Sequence, residues 1–175
     1  MVLSERLPQS PAAPSLGLPA GLAVLGSGAL LGGAYWFQVV VGLRPCEMCY
    51  WQRWPHMVAI AAGLAALALR GRPKVATALV VLAIAALIAT AGIGVFHAGV
   101  EYHWWQGPQA CSGAIPTGLS ADELKKALFG AKMVRCDEPA WTLFGISMAG
   151  WNALASGGLA ALVAAALARI LRRDA

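Results

Sequence analysis

Four long stretches without a charged residue constrain this chain more than any other feature. They run over 18–41, 54–69, 75–100 and 139–168, and each is rich in alanine, leucine, valine and glycine. A helix needs roughly 20 consecutive apolar residues to cross a bilayer, and soluble helices carry a polar face that these stretches lack. Only 12% of the 175 residues are charged, against about a quarter in soluble domains. The sequence therefore predicts an all-α membrane protein, a bundle of four transmembrane helices.

The ends of the uncharged stretches give the predicted organisation of the chain. Within a membrane domain of residues 18–168, we place the spans at about 18–41, 49–69, 75–97 and 145–168, and the outer loops at about 42–48 and 98–144. Residues 169–175 form a basic tail. The first 19 residues hold four prolines, one arginine and one glutamate. This composition is typical of a disordered tail, placed at 1–17, and differs from the basic start of a cleaved signal peptide.

Two basic clusters set the predicted orientation. The linker Arg70–Lys74 has three basic residues in five, and Arg169, Arg172 and Arg173 close the last helix. Short loops rich in lysine and arginine stay in the cytoplasm, so both termini are expected there and the two other loops outside. The net charge of +5 then reflects the basic residues of the cytoplasmic segments. We see no basic patch with groove-reading elements, and nucleic acid is not an expected partner.

All four cysteines face the side predicted to lie outside. Cys46 and Cys49 have the C-x-x-C spacing of redox-active pairs, whose thiols can have lowered pKa values. Cys111 and Cys136 share the long loop and could close a second bridge. Two dithiol pairs on one membrane face suggest that electrons pass from one pair to the other. Zinc binding and purely structural bridges stay open as alternatives, although the spacing matches the usual zinc pattern poorly.

Arg53 is a charged residue that the predicted spans place inside the membrane. To cover about 30 Å of hydrocarbon at 1.5 Å per residue, the second span must begin near Cys49. Arg53 then lies about one turn inside, where a charge indicates function unless the side chain extends to the headgroups. Cys49, Arg53 and His56 fall on one helical face, although Pro55 could kink the helix. The guanidinium could stabilise a thiolate or donate to a quinone carbonyl.

The third span and the long outer loop add two further features. His97 lies near the outer end of the third span, at a depth similar to that of Arg53. In the loop, Ser120 to Glu123 reads as a capping box. Leu124, Ala127 and Leu128 then form an apolar face, and Gly130 ends the turn. We expect a short amphipathic helix here that could lie on the membrane surface.

These residues together resemble the disulfide bond formation protein B (DsbB) family. The resemblance is carried by RPCEMCYWQR over 44–53, by His97 and Cys111, and by CDEPAWTLFGISMAGW over 136–151. It extends over all four predicted spans, from about 21 to 167. Two departures are Pro55 after the motif arginine and Ala149-Gly150, where a proline often precedes the tryptophan. Neither changes a reacting group.

The resemblance implies a role for each matching residue. Cys46 and Cys49 would be the membrane-proximal redox pair, with Cys49 beside a quinone, either ubiquinone or menaquinone. Cys111 and Cys136 would be the pair that meets a reduced DsbA-like periplasmic thiol oxidoreductase and relays electrons to Cys46. Arg53 would bind the quinone, and His97 would lie near its ring. The location implied is the bacterial inner membrane, multi-pass, with the active site on the periplasmic side.

Two other classes of protein stay open at this point. His56 and His97 could serve as axial ligands in a haem-bearing quinol oxidoreductase, which Soret absorption would reveal. The chain could also be a non-catalytic structural or metal-binding membrane protein, whose inert bridges would not turn over with added quinone. The preferred interpretation assigns no metal site.

Overall fold

The computed structural model describes residues 16–108, 120, 122, 125 and 134–173 of the chain. Four helices make up most of this part: α1 (Gly17–Val39), α2 (Glu47–Ala68), α3 (Pro73–Glu101) and α4 (Met148–Arg173). Three of them, α1, α3 and α4, are long and apolar enough to cross a membrane. The chain is therefore mostly helical, as expected of a multi-pass membrane protein. Most of the predicted tail 1–17 lies outside the described residues.

The helices alternate in direction and pack as a four-sided bundle. α1 contacts α2 and α4, and α3 contacts the same two helices from the opposite side. The Arg70 linker and the end of α4 thus lie at one end of the bundle. The start of α2, the end of α3 and the start of α4 meet at the other end, which we call the outer end. Cys46, His97 and Cys136 all lie at this outer end.

Small residues let the helices approach closely. A Cβ atom on Gly63 of α2 would lie 3.1 Å from the backbone oxygen of Ala20 in α1, and one on Gly94 of α3 would lie 3.0 Å from that of Ala149 in α4. Such contacts are typical of helices packed in lipid, where dispersion contacts replace the hydrophobic effect. The buried apolar cluster away from the outer end is largely alanine: Ala20, Ala23, Ala59, Ala62, Ala66, Ala76, Ala83, Ala86 and Ala160.

The second helix differs from the other three in composition. It starts two residues before the predicted span and continues through Pro55 without a break. Its first half carries buried polar side chains, Gln52, Arg53 and His56. These polar groups explain why this 22-residue helix does not share the uniform apolar character of its neighbours.

A short β-hairpin separates the outer loop from α4. Strands β1 (Thr142–Leu143) and β2 (Ile146–Ser147) pair antiparallel, and the turn residues Phe144 and Gly145 both have positive φ, as a type I′ turn requires. The hydroxyl of Tyr102 at the end of α3 donates to the backbone oxygen of Gly145 at 2.8 Å. The hairpin was not predicted, and α4 consequently begins at Met148, three residues after the predicted start of the fourth span.

Candidate functional site

The C-x-x-C pair lies at the N-terminus of α2, where the helix itself helps to hold it. Cys46 is the N-cap residue, and its Sγ accepts a hydrogen bond from the backbone N–H of Cys49 at 3.3 Å. The two sulfur atoms are 2.8 Å apart, and both cysteines are free thiols. The positive end of a helix favours a thiolate. Against this, the contact with the Cys49 thiol and burial raise the pKa of Cys46 above its ordinary value.

Cys136 brings a third sulfur to the same place from the outer loop. It is fully buried and disulfide-bonded, and because Cys46 and Cys49 are free, its bridge engages neither of them. The Sγ atoms of Cys136 and Cys46 and a ring nitrogen of His97 all lie within 4.8 Å of one another. Three such atoms could hold a metal ion, but a sulfur in a disulfide is not the thiolate that metals bind. The arrangement instead brings two redox pairs within reach of each other.

A cavity of about 400 Å³ opens beside Cys49. Its size is in the range of pockets for small organic ligands. Side chains of α1, α2, α4 and the segment before the hairpin form its walls, and most of them are apolar, including Leu30, Ala34, Phe37, Trp141 and Ala155. The polar lining is concentrated on α2 and the end of α3: Cys49, Gln52, Arg53, His56, His97 and Glu101.

Arg53 lies in the wall of this cavity and not at the protein surface. Arg53 is only 7% exposed, and its Nη1 donates a hydrogen bond to Oε1 of Gln38 on α1 at 2.6 Å. The guanidinium carbon lies 4.9 Å from the ring centre of Tyr35 and 5.0 Å from that of Tyr50. A guanidinium has five N–H donors, and Gln38 is its hydrogen-bonding partner among the described residues. Several donors thus remain for a ligand in the cavity.

A chain of polar side chains crosses the bundle next to the cavity. Asn152 of α4 donates from Nδ2 to Oε1 of Gln52 at 2.8 Å. Nε2 of Gln52 lies 2.8 Å from Nδ1 of His97, and Nε2 of His97 lies 3.5 Å from Sγ of Cys46. The chain connects α4, α2 and α3 to the reactive sulfur. No role was predicted for Gln52, although it lies inside the 44–53 segment, or for Asn152, because their contacts join distant parts of the chain.

Glu101, the last residue of α3, was also missed. It is 7% exposed, its Oε1 lies 3.7 Å from Nε2 of His97, and its Oε2 has no hydrogen-bonding partner among the described residues. A buried carboxylate oxygen without a partner is unusual and is expected chiefly where it has a function. The signal that could have found it is the i, i+4 spacing from His97.

The predicted site residues are brought together as far as the structure describes them. Cys49, Arg53 and His56 all line the cavity, as their shared helical face predicts. His97 lies one turn before the end of α3, which runs past the predicted end of the span, and it contacts the Cys46 sulfur. Cys111 lies outside the described residues. So does most of the predicted amphipathic helix, of which Asp122 is helical.

Comparison with known proteins adds an independent finding. A sequence model of the family "Disulfide bond formation protein DsbB" matches residues 18–166. The chain is 33% identical over 164 residues to "Disulfide bond formation protein B" of Stutzerimonas stutzeri (strain A1501), covering 87% of this chain and 93% of that protein. It is 30% identical over 160 residues to the protein of the same name in Polaromonas naphthalenivorans (strain CJ2), covering 87% and 91%. An uncharacterized protein, RP370 of Rickettsia prowazekii (strain Madrid E), is 29% identical over 126 residues, covering 71% and 72%. No solved structure matches.

Proposed function

The chain belongs to the disulfide bond formation protein B family, and on that premise we propose that it is a quinone-dependent thiol oxidase. It reoxidises a DsbA-type thiol-disulfide oxidoreductase and passes the electrons to quinone in the bilayer. Family membership by itself gives a membrane disulfide oxidoreductase. The electron acceptor, the partner and the residue roles are the proposal.

The observation that carries it is the approach of the Cys136 sulfur to the Cys46 sulfur, within 4.8 Å. Thiol–disulfide exchange needs a thiolate to reach the sulfur that it attacks. Cys136 comes from the outer loop and Cys46 from the start of α2, so the contact joins two pairs that are far apart in sequence. Cys46 precedes Cys49 at the outer end of α2 and is the more buried of the two, and Cys49 is the one that lines the cavity.

The exchange steps balance without a further reagent. Reduced partner protein attacks the Cys111–Cys136 bridge and leaves oxidised, so both cysteines become thiols. The Cys136 thiolate then attacks Cys46 of an oxidised Cys46–Cys49 pair; a Cys46–Cys136 bond forms, and Cys49 leaves with the electron pair as a thiolate. Cys111 next attacks Cys136, which restores the loop bridge and releases Cys46 as a thiolate. Two electrons now reside on the Cys46 and Cys49 sulfurs.

The cavity fits a quinone by shape and by donor set. A quinone is a flat apolar ring with two carbonyl oxygens, and the cavity offers apolar walls together with the free donors of Arg53. The buried Nδ1 of His56 and Oε2 of Glu101 have no partner among the described residues, and both residues line the cavity. When bound, a quinone supplies the two-electron, two-proton acceptor. Arg53 would hold a carbonyl oxygen and favour the Cys49 thiolate.

We further propose that all four helices span the inner membrane with the outer end in the periplasm. The support is the position of the basic residues at the opposite end, in the Arg70 linker and at Arg172 and Arg173. In reduced spheroplasts, an impermeant thiol reagent should label the loop cysteines Cys111 and Cys136. Labelling only after the membrane is opened would reverse the orientation.

The experiment that tests the oxidase is electron transfer by the purified protein. Reduced DsbA-type protein is mixed with the chain in detergent, and ubiquinone or menaquinone is added in parallel samples. We expect partner oxidation and quinone reduction in a one-to-one ratio, with a transient Cys46–Cys136 bridge in acid-quenched samples. Partner oxidation that proceeds without quinone loss, or quenched samples with bridges only within the pairs, would contradict the proposal. A Soret band in the purified protein would favour the haem alternative.

A further inference from the structure

The polar chain that ends at Cys46 fixes more than the position of His97. We propose that Gln52 and Asn152 are positioning residues that hold His97 as the Nε2–H tautomer, so that His97 donates a hydrogen bond to the Cys46 sulfur. This inference rests on the proposed function, because the step that it serves is the release of Cys46 as a thiolate. It follows from assigning the donor and the acceptor of each hydrogen bond along the chain.

The first anchor is the backbone carbonyl of Gln52, which can only accept. The hydroxyl of Thr90 donates to it at 2.9 Å, and a hydroxyl has a single hydrogen to donate. The 3.2 Å contact between Thr90 Oγ1 and Asn152 must therefore be donated by Nδ2 of Asn152. This fixes which end of the Asn152 amide is the nitrogen, a choice that heavy-atom positions alone leave open.

The other end of the Asn152 amide agrees with this orientation. The hydroxyl of Ser156 donates to its Oδ1 at 3.2 Å, and Nε2 of His56 lies 3.1 Å from the same atom. The second hydrogen on Nδ2 of Asn152 then goes to Oε1 of Gln52, at 2.8 Å. Gln52 thus accepts at its oxygen and must donate from its nitrogen.

The second anchor is the backbone carbonyl of Met48, which accepts from Nε2 of Gln52 at 3.3 Å. The remaining hydrogen on Nε2 of Gln52 points to Nδ1 of His97, at 2.8 Å. An imidazole nitrogen that accepts a hydrogen bond carries no hydrogen, so the hydrogen of neutral His97 sits on Nε2. Two carbonyls that cannot donate therefore determine the tautomer of the His97 ring at the outer end of the bundle.

The Nε2–H of His97 faces two side-chain acceptors, and His97 also makes a hydrogen bond with the backbone of Cys136. Sγ of Cys46 lies at 3.5 Å and Oε1 of Glu101 at 3.7 Å. The other titratable groups lining the same pocket are Arg44, Cys49, Arg53 and His56. When Cys111 attacks Cys136, the Cys46–Cys136 bond breaks and its electron pair stays on Cys46. A donor already directed at that sulfur lowers the barrier to its departure, since the better-stabilised thiolate leaves faster.

The nearly isosteric Gln52→Glu variant should reverse the tautomer of His97. An ionised carboxylate can only accept, so it favours a hydrogen on Nδ1 of His97 and leaves Nε2 bare toward Cys46. In Gln52→Met no polar group faces Nδ1, and both tautomers become accessible. Ser156→Ala is the matched control, because it removes a buried hydrogen bond at Asn152 Oδ1 but leaves the Nδ2 side of the chain intact.

The decisive measurement is ¹⁵N NMR of selectively labelled histidine in quinone-free protein, with His97→Gln to assign the signal. We expect an unprotonated Nδ1 and a protonated Nε2 in the parent and in Ser156→Ala, the reverse at neutral ring charge in Gln52→Glu, and a mixture in Gln52→Met. A protonated Nδ1 in the parent overturns the inference, whether or not the protein proves to be an oxidase.

The functional readout is the resolution of the Cys46–Cys136 bridge in a single turnover. Quinone-free oxidised protein is mixed with reduced DsbA-type protein, quenched with acid, and its bridges are mapped. Loss of a hydrogen bond to an anionic sulfur should slow this step by about ten- to a hundredfold in Gln52→Glu and less in Gln52→Met, with Ser156→Ala near the parent. Parent-like resolution in Gln52→Glu with a reversed tautomer contradicts the positioning role. If the parent itself forms no Cys46–Cys136 bridge, the proposed electron relay is contradicted. The tautomer of His97, measured separately by NMR, is unaffected by that outcome.

Discussion

The two ends of the helical bundle differ in the side chains that fill their interiors. At the end near the Arg70 linker the interior is alanine with a few larger aliphatic residues, such as Val80 and Leu87. At the outer end, the interior holds Gln52, Arg53, His97 and Glu101, all at most 7% exposed. Polar groups are costly in a membrane interior and are expected where function needs them. The alanine end therefore holds the helices in position, and on the proposed function the outer end carries the chemistry.

Substitutions of packing residues and of buried polar residues should therefore change different measurements. Those that disturb contacts between helix backbones should change the free energy of unfolding, and those of the polar side chains at the outer end should change electron transfer in a protein that stays folded. The four predictions below follow this division, from the largest expected effect to the smallest.

The largest effect is expected at Cys46. Cys46→Ser keeps the size of the side chain and an acceptor for the Cys49 N–H, but a serine cannot form the bridge that the relay needs. Quinone reduction with reduced partner protein should fall to the uncatalysed rate, while thermal unfolding in detergent stays within the error of the parent. A Cys46→Ser protein that still turns over would show that the C-x-x-C pair is not on the electron path.

The second-largest effect is expected at Arg53. Arg53→Leu removes a charged donor from the cavity wall, which should weaken apparent quinone affinity by about ten- to a hundredfold. Arg53→Lys should rescue only part of this loss, because an ammonium lacks the planar fork of donors. The measurement is the quinone concentration for half-maximal rate, with reduced partner saturating. Equal values in the parent and Arg53→Leu would remove the quinone from this cavity wall.

A pair of glycines on α3 tests the role of helix packing. A Cβ on Gly94 would lie 3.0 Å from backbone atoms of both Ala149 and Ala153, whereas one on Gly92 meets nothing within 4 Å. Gly94→Ala should destabilise the bundle by about 1–3 kcal/mol through overpacking. Gly92→Ala, the matched control, should stabilise it by about 0.5–1 kcal/mol, because it removes only the flexibility of glycine.

Unfolding of the two glycine variants in detergent, followed by circular dichroism, checks this prediction. If both variants lose stability to the same extent, the effect comes from the helix itself and not from the contact between α3 and α4. Since Gly94 lies one turn before His97, a shift of α4 in Gly94→Ala should also slow electron transfer, which would show that electron transfer depends on the contact between α3 and α4.

The smallest effect is expected outside the bundle, next to Cys136. Arg135 donates to both carboxylate oxygens of Asp137, at 2.9 and 2.6 Å, and this contact holds the pKa of Asp137 below its ordinary value. The folded state is therefore favoured at pH values above the ordinary pKa of aspartate, and the gain is lost as the pH falls through the lowered value. Arg135 is exposed and Asp137 is half-buried, so solvent and salt partly screen the pair.

Asp137→Asn should accordingly leave thermal unfolding at neutral pH nearly unchanged, and any difference from the parent should disappear in strong acid or high salt. The measurement is the unfolding temperature as a function of pH at two salt concentrations. A large loss at neutral pH would mean that this ion pair orders the segment that presents Cys136 and contributes to the stability of the outer end.

Much of this molecule was determined by the sequence alone. Uncharged stretches of spanning length predict membrane helices because backbone groups in lipid must be satisfied within the helix. The i, i+4, i+7 spacing predicts that Cys49, Arg53 and His56 share one face, because that spacing is a property of any α-helix. The resemblance to the DsbB family, first carried by the C-x-x-C segment, is confirmed over 18–166.

Tertiary structure alone decided which side chains meet across helices. Nothing in the spacing of the chain indicates that Asn152 reaches Gln52, that Gln52 reaches His97, or that Gln38 receives Arg53. Those contacts depend on the rotation and relative depth of each helix, which the small-residue contacts between helix backbones fix and which sequence periodicity leaves undetermined. The hairpin before α4, and the Glu101 oxygen that has no partner among the described residues, are likewise decided by neighbours distant in sequence.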